Sequence, residues 1–192
     1  MQYRINKNAL LDLLSIWDGY LKRQVHLIAC GGTALTLMNI KESTKDIDFI
    51  VPEENEYKYL IKTLKDLGYK QNTVYGWQKD EGFIFDLYAG NKVYTTDLVE
   101  SPLKEGNNIL VKEFTHIYLG ILNYYDLIIS KIFRCTNVDI EDCILLLKKN
   151  KTTINKENLR NRYYKTASYD ISTNKCLRNF EYFQEELGKA GL

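Results

Sequence analysis

The chain has 192 residues, a length that fits one domain or a catalytic half with a helical appendage. A hydrophobic share of 45% with 12% aromatics supplies a core and excludes a disordered chain. The formal net charge of +1 excludes a nucleic-acid binder that works by bulk charge, and apolar runs such as Ile117 to Leu122 are too short to span a bilayer.

Met1-Gln2-Tyr3-Arg4 leads into a mixed polar segment without a signal-peptide pattern, so a cytoplasmic location with no membrane partner is expected. Cys30, Cys135, Cys143 and Cys176 form no CxxC pair and read as buried reduced thiols. Asn8 to Arg23 carries Leu10, Leu13, Leu14, Trp17, Tyr20 and Leu21 at helical spacing. Val25 to Cys30 reads as a strand, Thr33 to Ile40 as a brief helix starting from Gly31-Gly32, and Ile47 to Val51 as a buried strand. Pro52 suits a helix start, with Glu53, Glu54 and Glu56 favoured by the dipole, and Gly68 suits its end. Tyr69 to Val74 and Gly82 to Tyr88 read as strands joined by a polar turn near Lys79-Asp80-Glu81-Gly82. A short strand is expected at Lys92 to Tyr94, a loop around Pro102, and further strands at Ile109 to Glu113 and His116 to Leu119. From Tyr124 the period becomes helical: Tyr124 to Phe133, Val138 to Lys149, Lys156 to Ala167 and Thr173 to Leu187, with Asn155 and Ser172 as N-caps. The expected organisation is an α/β half, residues 1–122, followed by a helical region, 123–192, packing on it.

Chemistry concentrates where the first apolar run meets Gly31-Gly32 and the next opens with Asp46-Ile47-Asp48. Side chains two apart in a strand share a face, so Asp46 and Asp48 project together. Two adjacent carboxylates repel unless a cation sits between them, and Mg²⁺ prefers one or two carboxylates with phosphate oxygens. Asp86, inside the apolar stretch Phe83 to Tyr88, is an isolated aspartate that is costly unless paired, hydrogen-bonded or on a metal. The glycines let the backbone approach a polyphosphate, and the helix behind them offers free N–H groups, with the Thr33 hydroxyl as a further donor.

Gly31-Gly32 followed by Asp46-Ile47-Asp48 and Asp86 resembles the signature of the polymerase-β-like nucleotidyltransferase superfamily. The resemblance implies an α+β fold, a nucleotidyltransferase-like mixed sheet flanked by helices with a C-terminal helical region. It also implies Mg²⁺ (or Mn²⁺) on Asp46, Asp48 and Asp86 and a nucleoside triphosphate as substrate. Lys131 and Arg134, then Asp139 to Asp142, are similar to a pattern in AbiEii-like toxin nucleotidyltransferases. By that resemblance Lys131 contacts the phosphates, with Lys45 and Arg134 beside it, and Asp139 or Asp142 acts near the catalytic centre. It implies an acceptor that is RNA, protein or a small molecule, and an antitoxin protein as partner. One position departs: Glu42 stands where the toxin group carries an arginine before its Thr-x-Asp-x-Asp. The alternative reading is a non-catalytic nucleotide- or partner-binding module of the same fold. Tyr163, Tyr164 and Tyr169 with Arg160, Arg162 and Lys165 read as a helix packing face in preference to an RNA surface.

Overall fold

The computed structural model describes residues 4–192; Met1 to Tyr3, where the signal-peptide reading began, lie outside the described residues. Helix α1 (Lys7–Tyr20) is opened by Asn6, whose side chain accepts from Ala9 N–H, and buries Leu10, Leu14 and Trp17. Strand β1 (Val25–Ala29) leads into the short helix α2 (Gly31–Leu37), strand β2 (Ile47–Val51) and helix α3 (Glu54–Asp66). Strands β3 (Lys70–Gln71), β4 (Gly76–Gln78) and β5 (Phe85–Ala89) follow, then a small hairpin of β6 (Lys92–Val93) and β7 (Thr96–Asp97). Strands β8 (Asn108–Glu113) and β9 (Ile117–Leu122) complete the sheet, and helices α4 (Tyr124–Arg134), α5 (Asn137–Lys149), α6 (Lys156–Ala167) and α7 (Thr173–Lys189) close the chain. Among the described residues no helix is long and apolar enough to cross a membrane.

The seven-stranded sheet has the order β3-β4-β5-β2-β1-β9-β8. It is mixed: β1 pairs with β2 antiparallel and with β9 in parallel, and β2 pairs with β5 in parallel. The fold is the expected α+β mixed sheet with helices against it. Its central strands β1, β2 and β9 are almost wholly buried, which suits their unbroken apolar runs.

Most elements fall near their expected positions, and the differences have local causes. The strand expected over Tyr69 to Val74 shrinks to β3, because the chain turns where Thr73 Oγ1 accepts from Gly76 N–H at 2.7 Å. The residues after that turn form β4, which the sequence pattern did not mark. The Lys79–Gly82 turn therefore joins β4 to β5. Helix α3 starts at Glu54, two residues beyond Pro52, and Gly68 follows its cap with a φ of +90°. Strand β6 stops at Val93 because Tyr94 takes a left-handed backbone, φ +52°.

The two halves share one apolar cluster that runs from Leu10 through Phe49 and Leu127 to Phe183. Polar ties reinforce it: Arg162 of α6 donates from Nε and from a terminal nitrogen to the two oxygens of Asp126 on α4, both at 2.6 Å. Tyr163 is fully buried and Arg162 is spent on Asp126, so the packing-face reading of α6 holds for these two residues.

At the end of α1, Asp18 accepts three backbone N–H bonds, from Thr115, His116 and Ile117 at 3.2, 2.6 and 3.0 Å. They fix the turn between β8 and β9. Hydrogen bonds to a charged acceptor contribute about 1.5–3 kcal/mol, so Asp18→Ala is expected to cost about 2 kcal/mol. A urea titration reads this as a lower midpoint with an unchanged slope; an unmoved midpoint contradicts it.

Candidate active site

The register of β2 against β5 sets Asp48 directly beside Asp86. Lateral neighbours in a parallel pair point to the same side of the sheet, so both carboxyls face one way. Asp46 stands one residue before β2, exposed at a bend, and its charge is felt by both of the others. The structure therefore sets Asp48 and Asp86 side by side with Asp46 within electrostatic range, although Asp46 precedes the strand where alternation within it was expected.

Asp48 is 3% exposed. Burial pushes its carboxyl up from the ordinary 3.8 to about 6; the Tyr94 hydrogen bond opposes the rise, and Asp86 and Asp46 add to it. Asp86 is raised as well, by burial first and by Asp46 second. Both carboxyls are raised chiefly by burial, and Arg134 is a cation that works against the rise at Asp48.

The glycine turn serves this centre from behind. Gly31 opens α2 with a φ of +56°, and a Cβ there would overlap the Asp48 carboxylate. Gly32 lies against Thr44, where a Cβ would come within 2.7 Å of Oγ1. Both glycines were expected to clear space for phosphate; the structure shows Gly31 clearing space for Asp48, while Gly32 also lines the open cavity. Thr33 is a plainer correction. Its hydroxyl donates to Asp46 O at 3.2 Å and accepts from Asp48 N–H at 2.9 Å, so it pins β2 to α2 from a buried position. Gly31→Ala is expected to cost about 2 kcal/mol, since left-handed strain and overlap act together. Thermal unfolding checks it, and a melting temperature equal to wild type contradicts the cradle.

A wall of paired charges stands across the cavity, its cations on α4 and its acids on α5. Lys131 is 3% exposed; its Nζ lies 2.8 Å from Asp142 Oδ2 and 3.5 Å from Asp139 Oδ1. Arg134 pairs with Asp139 through Nε at 2.9 Å and a second, short contact, and Lys41 pairs with the other oxygen of Asp142. Asp139 also closes a capping box with Thr136 at the start of α5. Burial alone would raise Asp139, but its hydrogen bonds from Arg134 and Thr136 outweigh it and hold the carboxyl below its ordinary range. Asp139 thus stands apart from Asp46, Asp48 and Asp86; it orients the cations that face them.

Between the acidic centre and this wall lies a cavity of about 340 Å³ whose lining includes Gly32, Lys45, Asp46, Asp48, Lys131 and Arg134. Hard carboxylate oxygens suit Mg²⁺ or Mn²⁺, and the raised carboxyls fit a centre that a cation would neutralise. Among the described residues no three His, Cys, Asp or Glu side chains already stand in a coordinating group, so the fit is one of donor chemistry and charge. Sequence reasoning missed Tyr94, whose hydroxyl donates to Asp48 Oδ1 at 2.7 Å while the Arg134 guanidinium lies 4.4 Å from its ring centre. No sequence signal singles out this tyrosine among the chain's fifteen.

Solved structures with this fold include ANT(2″)-Ia in a crystal complex with adenylyl-2″-tobramycin. It has a TM-score of 0.54 and 15% identity, and the match covers 83% of this chain and 95% of that one. A solution structure of the antibiotic-resistance factor ANT(2″)-Ia gives 0.57 and 14%, covering 85% and 94%. At such identities the likeness is one of fold. No curated protein matches the chain. The family profile described as "Nucleotidyltransferase of unknown function (DUF6036)" matches residues 13–190, nearly the whole length, and the chain belongs to that family.

Proposed function

We propose that the protein transfers a nucleoside monophosphate from a nucleoside triphosphate to an acceptor hydroxyl, with Asp46, Asp48 and Asp86 as its acidic centre. The observation that carries this reading is the lateral pairing of Asp48 with Asp86, both raised, with Asp48 lining the cavity that Lys131 and Arg134 also line. Asp46, Asp48 and Asp86 would hold the divalent cation. When bound, Mg²⁺ or Mn²⁺ supplies Lewis-acid stabilisation of charge at the reacting phosphate. The triphosphate lies along Gly32, Lys45 and Arg134, with Lys131 and Asp139 holding the wall in place. Asp86 takes the acceptor proton; the acceptor oxygen bonds to the α-phosphorus as the bond to the bridging oxygen breaks and pyrophosphate leaves. The complex of ANT(2″)-Ia with adenylyl-2″-tobramycin supports a fold that serves this class of transfer.

The test is incubation with each α-labelled nucleoside triphosphate and Mg²⁺ or Mn²⁺, wild type against Asp86→Asn. Label transfer by wild type alone supports the reading. Nucleotide binding without transfer by either supports a non-catalytic module. The finer AbiEii-like reading, a toxin with an antitoxin partner, is supported by the Lys131 to Asp142 segment. It predicts growth arrest on expression that Asp86→Asn relieves, and normal growth under the wild type contradicts it.

A further inference from the structure

A second cavity, of about 430 Å³, adjoins the first and shares a single lining residue with it, Tyr94. The end of α4 repeats the division: Arg134 lines the first cavity and its neighbour Phe133 lines the second. The hairpin β6–β7 forms one wall and the α6–α7 connection the other. We propose that this second cavity is the acceptor site and that it takes a small, net-neutral hydroxyl compound; the proposal rests on the nucleotidyl-transfer reading above.

Three observations lead to it. In-line displacement needs the attacking oxygen and the leaving group on opposite sides of the reacting phosphorus. The first cavity is lined by five basic and four acidic side chains, with Lys45 and Arg134 among the basic ones, so polyphosphate belongs on that side and the acceptor belongs across Tyr94. The second cavity also has the size of a small-molecule site, which runs from roughly 300 to 1,000 Å³. Its charges balance: Lys92 lies 3.9 Å from Asp97 on one wall, and Lys175 stands with Asp170 on the other. A polyanion or a polycation gains no net attraction in such a site. Rings supply the remaining surface. Tyr75, Tyr94 and Phe133 line it, and buried Tyr88 packs behind Tyr75 and Tyr94 at 4.8 and 5.0 Å, so a ligand with an apolar face is accommodated. Tyr94 is the positioning residue at the boundary, its hydroxyl on Asp48 and its ring between the cavities.

The experiment supplies α-labelled nucleoside triphosphates to the full chain with a cell extract, then separates small molecules, RNA and protein. Ser172→Trp is compared with wild type, because Ser172 is exposed in the wall and makes no side-chain cap bond. Thr95→Trp, exposed on the facing wall, serves if the first variant melts early. Binding of α,β-methylene nucleoside triphosphates is titrated in parallel. The expected result is label in the small-molecule fraction, a loss of about tenfold or more in the tryptophan variant, and unchanged analogue binding. Label chiefly in RNA or protein, full transfer by both tryptophan variants, or analogue binding with no labelled product overturns the acceptor site. Failure of wild type to bind any analogue overturns the nucleotidyl-transfer reading and this site with it.

Discussion

Asp48→Asn is expected to stabilise the unliganded protein while abolishing transfer. The carboxyl is buried, and its pKa rises from the ordinary 3.8 to about 6 in the fold. A raised carboxyl binds its proton more tightly folded than unfolded, so above pH 6 the ionised group opposes folding. At 1.36 kcal/mol per unit the penalty is on the order of 3 kcal/mol, and a neutral amide removes it while still accepting from Tyr94. The sign sets the pH window: the advantage of the variant is full at pH 8, shrinks through pH 6, and is gone near pH 4, where wild type is protonated too. Urea titrations at these three pH values check it; a variant less stable than wild type at pH 8 contradicts the description of Asp48. Transfer should fall by a factor on the order of 10³, because an amide neither neutralises a cation nor replaces a preorganised charge. A variant both more stable and inactive separates a working group from a structural one.

Lys131→Met carries the opposite expectation, a large loss of stability. The ammonium is buried between Asp139 and Asp142, and removing it leaves two buried carboxylates with less compensation. Breaking a buried pair in this way costs about 3–5 kcal/mol; Arg134 and Lys41 stay with the two acids, so the lower end applies. Asp142→Leu in the same chain is expected to recover a large part of the loss, since an apolar pair avoids the desolvation penalty. Thermal unfolding of the single and double variants decides it. A Lys131→Met variant within experimental error of wild type would mean that the lysine is free to serve the phosphates alone. Inactivity of a Lys131 variant therefore needs a folding control before it is read as chemistry.

The residues show why parts of this protein are readable from sequence and others are not. Long apolar runs such as Val25 to Cys30 and the helical period from Tyr124 reflect burial, which local composition records well. Strand β4 is three residues long around Gly76 and Trp77, and its pairing with β5 comes from tertiary contact that no local period announces. The side-by-side placing of Asp48 and Asp86 was legible because unpaired acids in apolar strands need an explanation, whereas exposed Asp46 stands outside that argument. The use of Thr33 was not, since a threonine after a glycine pair serves phosphate or backbone equally well until β2 is seen against it. Tyr94 depends on a left-handed residue in a two-stranded hairpin reaching across to Asp48, a contact of 46 residues' separation.

Manganese binding, followed by electron paramagnetic resonance in the presence of an α,β-methylene nucleoside triphosphate, tests the acidic centre most directly. Wild type should take up the ion, and Asp86→Asn should weaken that uptake by about tenfold or more, equivalent to roughly 1.4 kcal/mol. Equal uptake by both proteins, with Asp86→Asn folded as wild type, would contradict a shared cation between the two strands.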